Sequence, residues 1–183
     1  MPTYQASSEL YWWSALAAAL IDVPLVFLLA RRIRRESFRQ LAGPLAVASA
    51  VFWLALWGWV MQNQFVWETC YQYVFPAWAR WAMPPIMAAA GGAGATGMWW
   101  LAQRSPGNPI LVFSLLGGLD SFPGHLWAAY GRGLFEVCPL LQQVSVVSGL
   151  TFGVFEFIFY WCVILTLAVV ARRVSRISRS RIS

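Results

Sequence analysis

The chain has 183 residues, of which 60% are hydrophobic and 11% charged, with a net charge of +6 carried by thirteen arginines and no lysine. Soluble domains carry about 25% charged residues, so a soluble globular protein is excluded. Most of the arginines fall in two clusters beside apolar runs, where basic residues act first as an orientation signal, which argues against a nucleic-acid surface.

Residues 1–10 form a short polar lead whose only side-chain charge is Glu9. A cleavable signal peptide needs a positive region before its apolar core, and this lead has none. The first predicted span covers residues 10–30, opens on the aromatic belt Tyr11-Trp12-Trp13 and ends against Arg31, Arg32, Arg34 and Arg35. Gly43-Pro44 restarts the chain, and the second span covers 44–61.

Residues 65–83 are aromatic but interrupted by Glu68, Gln72, Pro76 and Arg80. This composition predicts a segment lying in the membrane interface, apolar side down. The third span covers 84–102, with a Gly/Ala middle whose small side chains allow close helix approach in lipid and suit packing against other membrane subunits. A tight turn at Arg104-Ser105-Pro106-Gly107-Asn108 leads into the fourth span, 109–130, and the fifth covers 144–171.

The expected fold is therefore an all-α, single-domain bundle of five transmembrane helices in the lipid bilayer of a plasma or inner membrane. Eleven arginines lie on one side of it: five after span one, Arg104 after span three, and five in the tail 172–183. Only Arg80 and Arg132 lie on the other. By the positive-inside rule the N-terminus is outside and the C-terminus cytoplasmic. The arginine-serine tail reads as a stop-transfer anchor; an anionic-lipid clamp tuned by phosphorylation is the alternative.

Three of the seven acids, Asp22, Asp120 and Glu156, fall inside predicted spans. An acid at the centre of a spanning helix costs about 3 kcal/mol, which makes each a candidate functional residue. At 1.5 Å per residue all three lie within roughly one turn of the midplane. Pro24 and Pro123 each release a backbone carbonyl near an acid. Ser145, Gly149, Gly153, Glu156 and Tyr160 share one face of span five, so Glu156 points into the bundle.

No arginine lies within a span to neutralise these acids. They suit a cation or proton site, or the polar end of an apolar ligand, with Asp22, Asp120, His125, Glu156 and Tyr160 as binding residues. His125, the only histidine, is placed to relay protons. Asp120, His125 and Glu156 would be the acid/base residues if the protein is an enzyme acting on a lipid-like substrate. The plainer alternative is a non-catalytic subunit in which the acids are interhelical glue.

No ligand spacing for zinc is present, and Gly91-Gly92-Ala93-Gly94 lies mid-span with no strand before it, unlike a phosphate loop. Haem ligation would rest on His125 or a methionine alone, so no cofactor is evident. Most of the twelve tryptophans map to the interfaces as belt anchors. Cys70 and Cys138 both fall in outer loops, where an oxidising compartment permits a disulfide, while Cys162 lies in span five.

Helix count, tryptophan content and a polar midplane resemble two membrane families, the tryptophan-rich sensory/translocator proteins and the emopamil-binding sterol isomerases. In the isomerases, membrane-buried acids and a histidine handle a sterol double bond. Their paired histidine-glutamate motif has no counterpart here, because Phe52-Trp53-Leu54-Ala55-Leu56-Trp57 carries no acid. The likeness assigns no membership.

Overall fold

The computed structural model describes residues 7–131, 133–139 and 141–180; Arg132 and Arg181 lie outside them, as do the side chains of Glu136, Arg176 and Arg179. Among the described residues the protein is all-helical, apart from one isolated bridge between Ser7 and Gln143. In chain order the helices are α1 (Ser8–Arg32), α2 (Arg35–Arg39), α3 (Ala42–Gln62), α4 (Gln64–Thr69), α5 (Ala79–Arg104), α6 (Pro109–Leu119), α7 (Ser121–Leu126), α8 (Leu134–Val137) and α9 (Val146–Ser180). A 3-10 turn, Tyr71–Tyr73, follows α4, and a π-helical turn, Trp127–Gly131, follows α7.

Three helices, α1, α3 and the Val146–Ser175 portion of α9, are long and apolar enough to cross a membrane. That is three and not the five spans expected. The third expected span is a 26-residue helix, α5, which at 1.5 Å per residue reaches about 39 Å. Its length suffices, but its Gly/Ala middle carries little apolar surface. It also begins at Ala79, ahead of Pro84-Pro85, where the sequence suggested that it starts. Pro84 has no N–H for the carbonyl of Arg80, and the Gln62 side-chain amide donates to that carbonyl instead at 3.1 Å. The proline therefore sits inside the helix without orphaning an acceptor.

The fourth expected span is not one helix. It breaks at Asp120 between α6 and α7 and loosens into the π turn. Gly117-Gly118 weaken the helix before the break, and Pro123 cannot donate to Leu119 after it.

Two sets of bonds define the ends of the bundle. At one end, Ser8 Oγ donates to the Gln143 carbonyl at 2.9 Å and accepts from the Ser145 amide at 2.7 Å, clipping the start of α1 to the start of α9. At the same end Cys70 and Cys138 are disulfide-bonded, their Cα atoms 4.4 Å apart, as the sequence reading allowed. At the other end, Arg35 donates to the carbonyls of Gln103 and Ser105, Trp99 to that of Phe38, and Arg172 to that of Ser37. This joins the α1–α3 connection to the ends of α5 and α9.

Between the ends, α3 and α5 pack side by side. Ser49 donates to the Gly91 carbonyl at 2.8 Å, and a Cβ at Gly92 would lie 3.3 Å from the Ala46 carbonyl oxygen. Only the small α5 residues allow this approach. The core around Trp53, Phe113 and Trp161 fills the middle of the bundle.

Candidate functional site

The disulfide end of the bundle is hollow. A cavity of about 850 Å³ reaches from the loops inward to Trp53, Gly91 and Tyr160. Three helices each give it one stripe at helical spacing: Trp53, Leu56, Trp57 and Val60 from α3; Met83, Met87, Ala90 and Gly94 from α5; Gly149, Phe152, Glu156 and Tyr160 from α9. The α6–α7 break supplies Asp120, Pro123, Gly124 and His125, and Tyr11 closes the wall from α1. The aromatic segment expected at the interface contributes Tyr71, Val74 and Phe75, while Phe65, Tyr73, Trp78 and Trp81 face outward and Trp67 is buried.

Four of the five residues singled out in the sequence meet in this cavity. Glu156 and Tyr160 are one turn apart on α9, and the Tyr160 hydroxyl donates to Glu156 Oε1. Asp120 lies where α6 ends, exposed toward the cavity, while His125 is half-buried. On a straight helix Asp120 and His125 would point about 140° apart. Across the break between α6 and α7 both nonetheless line the same cavity.

His125 is oriented by its own helix. Nδ1 is 2.9 Å from the Ser121 carbonyl oxygen, which can only accept, so Nδ1 carries a proton, and in the neutral ring that leaves the lone pair on Nε2. The ring meets Phe157 edge-on, centroids 5.8 Å apart. Ser121 is itself held by a 2.7 Å bond from its hydroxyl to the Gly118 carbonyl.

Asp22 does not join the site. It is 1% exposed and lies on the Cys162 side of α1, and neither carboxyl oxygen has a hydrogen-bond partner among the described residues. Depth along the helix placed it beside the other acids; the direction in which it faces separates it from them.

The sequence reading missed the aromatic wall. Trp53–Phe157, Trp57–Tyr71 and Phe75–Trp127 ring pairs, with centroids 5.4, 6.2 and 5.7 Å apart, surround the acids. The signal was present in the i, i+4, i+7 spacing of Trp53, Trp57 and Val60, but a tryptophan-rich membrane sequence hides such a stripe among its belt anchors. Tyr71 lines the same cavity as Glu156; burial raises its phenol pKa, and Glu156 adds to the effect.

Among the described lining residues there are two carboxyl groups and no arginine. The wall therefore offers carboxyl acceptors inside an aromatic enclosure, suited to a cation or a hydrogen-bond donor on an otherwise apolar molecule. No group of three metal-ligating side chains occurs among the described residues. Compared with known protein families, curated proteins and solved structures, the chain matches none.

Proposed function

We propose that this is an integral membrane protein that binds a small, largely apolar ligand through a cationic or hydrogen-bond-donating group. The observation that carries the reading is the meeting of Asp120, His125 and the Glu156–Tyr160 pair on one wall of an aromatic cavity of about 850 Å³. That volume lies within the range of roughly 300–1,000 Å³ typical of small-molecule sites.

In this reading the chain crosses a plasma or inner membrane five times, α5 and the broken α6–α7 unit included. The disulfide end faces out and the arginine-rich end faces the cytoplasm. The arginine distribution supports this, because Arg31, Arg32, Arg34, Arg35, Arg39, Arg104, Arg172 and Arg173 all belong to one end. The shielding of α6–α7 by α9 and α1 supports it too, since broken helices are tolerated at membrane depth only where they line a cavity or are covered by protein. The aromatic segment lies at the outer interface, over the cavity mouth.

A second reading, a membrane-embedded enzyme doing acid/base chemistry on a lipid-like substrate, is favoured by one observation. His125 offers an available Nε2 lone pair on the same wall as two carboxyl groups, the combination that proton transfer requires. Native mass spectrometry of the protein gently extracted from its own membrane tests the binding reading. A retained small molecule is expected; stoichiometric protein subunits with no small molecule would favour an assembly role.

A further inference from the structure

The arginine-rich end contains a second, smaller cleft. About 100 Å³ in volume, it lies between the end of α1 and the last part of α9. Arg32 comes from α1, Arg172 and Arg173 from α9, and Ser37 from α2, over a floor that includes Ile33 and Val169. No carboxylate is among its lining residues.

Three arginines from two helices line this one space, and their like charges favour an anion there. Arg172 is aimed by its 2.8 Å bond to the Ser37 carbonyl, and Arg32 and Arg173 make no ion pair with any described residue. The space has room for several waters, and so for a phosphate group.

The surroundings of the cleft decide the source of that phosphate. Leu28 on α1 and Leu167 and Val170 on α9, about one turn from the arginines, are 52, 47 and 51% exposed. A charged rim directly beside outward-facing apolar side chains matches an anionic phospholipid, whose headgroup and acyl chains meet at that depth. Guanidinium forks also match phosphate oxygens bidentately.

We infer that this cleft seats the phosphate headgroup of an anionic phospholipid at the arginine-rich end of the bundle. The inference rests on the membrane placement proposed above and needs nothing of the larger cavity's ligand. Lipid retention at this cleft and small-molecule retention in the cavity can therefore fail separately.

The test compares phosphatidylglycerol with phosphatidylcholine added to the detergent-purified full chain, read by native mass spectrometry and melting temperature, with inorganic phosphate as a third arm. Phosphatidylglycerol should be retained in preference and raise the melting temperature, whereas inorganic phosphate should not. The R32Q/R173Q variant should hold phosphatidylglycerol roughly 30-fold more weakly, the factor expected from two arginines beside an anionic headgroup. R34Q/R39Q, which removes the same charge at the same end but outside the cleft, should retain it. Equal retention of both lipids by the unmodified protein would overturn the inference whether or not the variants fold. So would equal losses in the two double variants, which would indicate diffuse surface charge, or stabilisation by inorganic phosphate matching that by lipid.

Discussion

The imidazole of His125 occupies the space that a side chain at Gly153 would need. A Cβ built on Gly153 would lie 2.7 Å from both Cε1 and Nε2 of the ring, closer than packed atoms come. The ring cannot swing away freely, because its Nδ1 is bonded to the Ser121 carbonyl. Gly153→Ala should therefore displace His125, destabilising the protein by about 1–3 kcal/mol as overpacking does and weakening ligand retention as much as His125→Ala. In a double-mutant cycle the combined variant should be no worse at binding than His125→Ala alone. Additive losses would show that Gly153 matters only to helix packing.

Tyr160 donates to Glu156, a bond within the candidate site that Tyr160→Phe removes without changing ring packing. A side-chain hydrogen bond contributes about 0.5–1.5 kcal/mol to stability. The melting temperature should fall on that scale, and ligand affinity should fall as well because the Glu156 carboxyl loses the hydroxyl that orients it, as titration against the purified variant would show. An unchanged affinity would mean that the pair is structural.

Asp22, buried without a hydrogen-bond partner for either oxygen among the described residues, should behave differently from the cavity acids. Removing an unsatisfied buried polar group relieves a cost of about 1–3 kcal/mol. Asp22→Val should leave ligand retention intact and raise the melting temperature. A fall in stability of that size would reveal a partner for the carboxyl, and a loss of ligand would return Asp22 to the site.

The Cys70–Cys138 bond closes a sequence separation of 68 residues and ties together the two loops that flank the cavity mouth. Non-reducing and reducing electrophoresis should give different mobilities, and a thiol reagent should label neither cysteine before reduction. Cys70→Ser/Cys138→Ser should cost about 2–4 kcal/mol and speed ligand release, since Tyr71 and Phe75 are anchored by this bond. Labelling of both cysteines without reductant would contradict the pairing.

Much of the fold was legible because apolar runs and arginine clusters are strong signals. The expected spans 10–30 and 44–61 lie within α1 and α3, and 144–171 overlaps most of α9. Two features were not legible. The close packing of Gly117-Gly118 against Trp161 and Ile158 beside the break at Asp120 is a tertiary matter that sequence periodicity does not carry. The start of α5 depends on Gln62 reaching the Arg80 carbonyl across a loop, so the local rule that prolines open helices failed there. For the site, depth along each span anticipated that Asp120 and Glu156 line one cavity, but depth alone does not carry facing, and Asp22 is not among the lining residues.

In the proposed function the cavity acids hold a ligand. The most direct measurement is the bound small-molecule mass in Asp120→Asn and Glu156→Gln, beside the unmodified protein, each extracted identically and confirmed folded by its melting temperature. The molecule should be retained by the unmodified protein and lost from both variants while their folds persist. Retention by both variants, or loss only where the fold is also lost, would contradict the claim and leave these acids as contacts between helices.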